Sequence, residues 1–316
     1  MKRGLSLVVM IVSLVGISCR RAHQEPTPTP TPTPTKADPN AAPDPWKQQA
    51  GKKNPLPHPL FWSAEKDGKT IYFLGTMHMG IEPEERLPQI VWDKLDAAKA
   101  FAMEADLSKP GLMNSMVRTG GSLHEDLGDE YWKKLEAAVG HDMAAQMDRT
   151  TPMGAAAMMA LKDLPRTSPM DGILLGRAMN KGKPIVYLED AQLQIDILTK
   201  HMDLRALKLM IDTAENGTKQ SKAMLDAYAE GDEKKILAIN DEQKDDALKH
   251  GYTQKEFDEQ MEDILYKRNA SWIEKLEKMA ADGGGFVAVG ALHLSGPRSV
   301  LDLLSKKGFT IKRIEP

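Results

Sequence analysis

Two Gly-x-x-His tetrapeptides stand far apart in the chain, each directly after a short apolar run. Gly75-Thr76-Met77-His78 follows Thr70 to Leu74, and Gly290-Ala291-Leu292-His293 follows Gly285 to Val289. A β-rich run that ends in Gly and then His reads as a buried strand whose exit presents an imidazole at the sheet edge. Two further apolar runs end in carboxylates: Ala100-Phe101-Ala102-Met103 at Glu104, and Ile185-Val186-Tyr187-Leu188 at Glu189. Sites in parallel sheets form outside the carboxyl ends of the strands, so His78, Glu104, Glu189 and His293 are candidates for one cluster. Two imidazoles with one or two carboxylates suit Zn²⁺, Mn²⁺ or Co²⁺. An open coordination position would hold a water whose pKa falls to about 7. Each residue also has a plainer reading. A histidine after a strand can be a satisfied loop residue, and a glutamate closing a strand can simply be solvated, as Asp190 beside Glu189 suggests.

The elements that must position these groups follow from pattern. Leu60 to Ala64 and Thr70 to Leu74 flank Asp67-Gly68, a hairpin signal, so the domain opens with a β-hairpin whose second strand carries His78. Leu87 to Ala98 has helical spacing (Leu87, Val91, Leu95, Ala98), and Tyr131 to Met179 is helical and rich in Ala and Met, with breaks at Gly140, Pro152 and Pro165 to Pro169. From Ala191 to about Met279 the chain reads as amphipathic helix punctuated at Asn216-Gly217, Gly231-Asp232 and His250-Gly251. Strand Phe286 to Val289, helix Pro297 to Lys307 and strand Phe309 to Ile314 close the chain. Strands alternating with helices predict an α/β fold with an α+β-like mixed sheet, mainly parallel at its centre, an antiparallel N-terminal hairpin and a large helical cap or insertion. Asp171 is expected to cap the helix running from Gly172 to Met179.

The remaining regions bound location and partners. Met1-Lys2-Arg3 followed by the apolar Leu5 to Ile17 is an export signal, too short to span a bilayer comfortably. It runs into Ser18-Cys19, and this lone cysteine resembles the lipidated first residue of a bacterial lipoprotein, although Gly16 stands where Leu or Val is usual. The alternative is an ordinary cleaved signal with an incidental cysteine. Residues 20–57 carry no apolar periodicity and include a strict Thr-Pro alternation from Thr27 to Thr35, an extended polyproline-type tether. Residues 58–316 form the folded domain. A net charge of −3 with both signs interspersed and no basic stripe argues against nucleic acid as a partner. The expectation is an exported protein held on the outer or cell membrane by a lipid anchor, or else periplasmic or secreted. The sequence is silent on oligomeric state.

The chain resembles the TraB/PrgY/GumN family, which extends to the Tiki metalloproteases. The resemblance is carried by Tyr72 to His78, Phe101 to Leu107, Met170-Asp171-Gly172 through Gly182 to Glu189, Tyr266-Lys267-Arg268-Asn269 with Trp272, and Phe286 to His293. The family hallmark of two Gly-x-x-His motifs plus a glutamate falls on His78, His293 and Glu104; Glu189 and Arg268-Asn269 also match family positions. The resemblance implies a peptidase-like hydrolase dependent on Mn²⁺ or Co²⁺ ahead of Zn²⁺, acting on a peptide or protein outside the cytoplasm. His78 and His293 would then be ligands, with Glu189 a further candidate. Glu104 would ligate or act as general base. Arg268 would neutralise an oxyanion, or else form a salt bridge with Glu189, and Asn269 would donate to substrate. Relatives linked to pheromone shutdown, and more distant haem-binding ChaN-like ones, imply instead a non-catalytic peptide-signal, haem or metal binder.

Overall fold

The computed structural model describes residues 54–106 and 113–316. The expected export signal, Cys19 and nearly all of the expected tether lie outside the described residues. The packed domain begins slightly before residue 58: Leu56 is fully buried and its N–H donates to the carbonyl of Arg86 across 2.7 Å.

The centre is a six-stranded sheet built from β1 (Phe61–Lys66), β2 (Lys69–Thr76), β3 (Phe101–Met103), β4 (Ile185–Tyr187), β5 (Gly285–Gly290) and β6 (Thr310–Arg313), in the order β4-β3-β5-β2-β1-β6. The hairpin forms as expected. Asp67 and Gly68 both take positive φ (51° and 69°), the left-handed pair that a two-residue turn between right-twisted strands requires. The α/β class and the helical cap also stand. The sheet is mixed rather than mainly parallel. β2 to β5, β5 to β3 and β3 to β4 are parallel, but β1 pairs antiparallel with both β2 and the returning β6.

Every residue of β5 is buried, as expected for a continuous apolar strand at the centre of a sheet. Phe61, Phe73, Phe101 and Phe286 interleave in the core with Trp92 and Trp272. Helices Gln89–Ala97, Met170–Asn180 and Lys267–Ala281 pack onto β2, β3 or β5. A second apolar cluster is formed by cap helices that include Leu123–Val139, Pro152–Leu161 and Leu204–Asp212.

One expected break is absent. Asn216-Gly217 lies inside helix Ala214–Glu230, where Gly217 is buried and its N–H donates to the Thr213 carbonyl at 3.1 Å. Burial of that face outweighs the cost of glycine in a helix, about 1 kcal/mol. The helix stops at Gly231, the next expected break, in the left-handed conformation that suits a C-terminal cap.

Candidate functional site

The β2–β5 pairing sets Gly75 opposite Val289 and Thr76 opposite Gly290, so both Gly-x-x-His motifs leave the sheet side by side at its carboxyl edge. Glu104 follows β3 on the other side of β5, and Glu189 follows β4. The Glu189 N–H donates to the Glu104 carbonyl at 2.8 Å, extending the ladder one step past the named strands. Parallel topology therefore brings all four strand-end groups to one edge, and all four are buried.

His293 sits on the single helical turn Ala291–Leu294. Its Nδ1 lies 2.6 Å from Oδ1 of Asn269, while Nδ2 of Asn269 donates to the Arg298 carbonyl at 3.0 Å. That second bond fixes the amide, so Oδ1 is the acceptor and Nδ1 carries the proton. The free lone pair of His293 is then on Nε2, 3.7 Å from Oε1 of Glu104. The Trp272 indole packs on the His293 ring with 4.5 Å between centroids.

His78 is held in the same manner by different chemistry. Its Nδ1 is hydrogen-bonded to Oδ2 of Asp171, whose other oxygen accepts from Oγ1 of Thr76 at 2.9 Å. Nε2 of His78 is buried and has no hydrogen-bond partner among the described residues. Asp171 does not cap its helix. The N-terminal position belongs to Pro169, with no side-chain cap, and the Met170 N–H donates to the His78 carbonyl at 3.2 Å. The helix start and the His78 loop are thereby joined, which turns Asp171 toward the imidazole.

Glu104 is gripped on both oxygens. Oε1 accepts from the Gly290 N–H at 2.8 Å; Oε2 accepts from Nη2 of Arg268 at 2.7 Å and from Nε2 of Gln194 at 2.9 Å. Arg268 spends its remaining donors on Glu189, reaching Oε1 from Nη2 at 2.6 Å and Oε2 from Nε at 2.9 Å, and on the Ile264 carbonyl at 2.8 Å. Trp272 Nε1 donates to Oε2 of Glu189 at 3.2 Å. Glu189, expected as a possible ligand, thus serves as the anchor of Arg268. Arg268, expected at an oxyanion or in a salt bridge, takes the salt bridge. Asn269, expected to donate to substrate, orients His293. The five-residue π-helical turn Glu262–Tyr266 runs directly into Arg268 and Asn269, a device found where a helix must re-aim side chains.

Gly290 allows the donors to crowd together. A Cβ there would lie 3.3 Å from Oε1 of Glu104, 3.6 Å from Cδ2 of His293 and 3.7 Å from Nε2 of His78. The electrostatics separate the two histidines. Burial pushes His293 down to about 3, so it is neutral. Burial also opposes charge on His78, but the Asp171 charge and hydrogen bond, helped by Glu104, outweigh it and raise its pKa. Burial would raise Glu104, yet His293, Arg268, His78 and the Gly290 amide hold it down to about 2. For Glu189 burial prevails over Arg268, and its pKa is raised.

Among the described residues, no group of three or more His, Cys, Asp or Glu side chains is arranged as a ready-made metal site. Pattern reading missed Gln194 and the roles of Asp171 and Trp272. Asp190 marks the start of helix Ala191–His201 by accepting from the Gln192 N–H at 2.8 Å, which places Gln194 in its first turn, close behind Glu189. That cap was the available signal.

The fold is mixed α/β, and its two Gly-x-x-His strand exits lie side by side next to a buried, arginine-held glutamate. The chain belongs to the TraB/PrgY/gumN family, whose model matches residues 60–313. Among curated proteins it is similar to the uncharacterized protein YbaP of Escherichia coli K12, 26% identical over 242 residues that cover 74% of this chain and 87% of the relative. YbaP of Shigella flexneri is similar to the same degree, 26% over 241 residues, with 74% and 87% covered. No solved structure matches the chain.

Proposed function

We propose that this edge is the active site of an exported, membrane-tethered hydrolase, a peptidase that uses a divalent metal, Mn²⁺ or Co²⁺ ahead of Zn²⁺. The observation that carries the reading is the paired orientation of the histidines. Each has Nδ1 tied to a protein acceptor, Asp171 or Asn269, leaving Nε2 for another partner, and the buried Nε2 of His78 has none. Outer partners of this kind set tautomer and ring orientation in histidine metal sites. His78 and His293 would hold the ion through Nε2, with Oε1 of Glu104 as the third donor. When bound, it would supply Lewis acidity and an acidified water.

The chain's own residues prepare that chemistry. Gln194 and Arg268 occupy Oε2 of Glu104, so that its other oxygen faces His293. Arg268 also keeps the carboxylate ionised, ready to ligate or to accept a proton. Among the described residues no helix is long and apolar enough to cross a membrane. Tethering in this proposal therefore rests on the Cys19 segment.

The test uses the purified full chain. Bound metal is measured, and a peptide library is incubated with added Mn²⁺ or Co²⁺. Cleavage that is lost in Glu104→Gln, together with metal that is lost in His78→Ala and in His293→Ala, supports the hydrolase. Metal content unchanged in both histidine variants sinks the ligand assignment, and peptide binding without turnover points to a binder instead.

A further inference from the structure

At the opposite end of the same strands lies a cavity of about 430 Å³, within the size range of small-ligand sites. It opens at the amino ends of β3, β4 and β5, where Ala100, Pro184 and Gly284 precede the three strands. It extends along β4 to Tyr187, but none of its lining residues belongs to the histidine cluster, and it is independent of the reading given to that edge. Ala100, Pro184, Val186, Tyr187 and Met279 contribute its walls, which are aliphatic apart from one ring, and Met279 adds an adaptable thioether.

The rim is cationic. Lys99, Lys275 and Lys278 line it against one acid, Asp282, which is paired with Lys278 at 2.8 Å. Lys275 donates to the carbonyls of Tyr187 and Leu188 at 3.0 and 2.9 Å, which leaves its charge without a carboxylate. Lys99 is exposed and lies over the glycine loop at the mouth, so that a Cβ on Gly283 would sit 2.3 Å from its Nζ. Lys99 at the Gly283 end and Lys275 at the Tyr187 end therefore stand uncompensated at the two ends of an aliphatic hollow.

β4 is an edge strand, and an added peptide strand is the obvious rival occupant. Lys275 already occupies the Tyr187 and Leu188 carbonyls, which disfavours that mode. We infer that this cavity binds an anionic single-chain amphiphile, a fatty carboxylate whose head meets Lys99 while its alkyl tail runs along the wall formed by Val186 and Met279.

Calorimetric titration of the full chain with dodecanoate, below its critical micelle concentration, tests the inference. Saturable one-to-one binding is expected. Lys99→Glu replaces attraction by repulsion at an exposed rim and should weaken binding about tenfold, while Lys99→Arg retains it. Lys99 is exposed, so neither variant threatens the fold. Absence of saturable dodecanoate binding overturns the assignment. So does affinity unchanged in Lys99→Glu, as attachment to the apolar N-terminal segment would give, or equal binding of dodecyltrimethylammonium.

Discussion

His293 donates its Nδ1 proton to Oδ1 of Asn269 across 2.6 Å, and the same amide is locked from behind by its bond to the Arg298 carbonyl. The imidazole therefore has one tautomer and one orientation. Asn269→Ala leaves a buried ring N–H unpaired. We expect a loss of about 1–3 kcal/mol in unfolding free energy by urea titration. If the site holds a metal, affinity should fall about 10- to 100-fold.

Arg268 is the only guanidinium among the described residues that bridges two buried carboxylates, Glu104 and Glu189. Arg268→Met strands both, and truncation of one partner of a buried pair costs about 3–5 kcal/mol. The double variant Arg268→Met, Glu189→Gln should recover part of that loss in the same unfolding assay. Arg268→Lys should not rescue the single variant, because an ammonium cannot reproduce the fork that spans both acids.

His78 has a raised pKa in the fold, so the folded state binds its proton more tightly than the unfolded chain does. The resulting stabilisation is complete below about pH 6.5 and is lost as pH rises through the folded-state value. In the presence of chelator, unfolding free energy should therefore decline on the alkaline side of that window. Asp171→Asn removes the main group that raises the pKa and should flatten this slope. Histidine NMR titration of the variant should place His78 lower than in the parent chain.

Gly290→Ala separates site from scaffold. Gly290 has φ −51°, which any residue adopts, and the nearest atom to the added methyl is the carboxylate oxygen of Glu104 at 3.3 Å. Melting temperature should change little, whereas metal affinity and any hydrolytic activity should fall severalfold, because the Glu104 carboxylate must give way to the methyl in a site where position governs function.

The legible parts of this molecule were those with local chemistry. Asp67-Gly68 announced its turn, the apolar runs announced β2, β3, β4 and β5, and the residues closing those runs marked the edge where His78, Glu104, Glu189 and His293 meet. Roles within the cluster were less legible, because they depend on which donor reaches which oxygen. Glu189 and Glu104 look alike in sequence, and Arg268 bridges both; the position of β3 beside β5 is what leaves Glu104 next to His293, with Glu189 one strand further out. Asp171 has the local pattern of a helix cap, yet the His78 loop claims its carboxylate. Gln194 occupies an amphipathic helix where nothing in the spacing distinguishes a packed amide from a functional one. Gly217 carried a turn signal that burial overrode.

The pairing of β2 with β5 has a consequence for the order of events in the life of the chain. One histidine emerges 215 residues after the other in synthesis, and they meet only when those two strands zip together. Contacts between such distant segments are slow to form, since a long loop must close first. A ribosome-bound or C-terminally clipped chain can fold its hairpin and some helices yet owns half a site. Any activity of this edge is therefore withheld until β5 and His293 have joined β2.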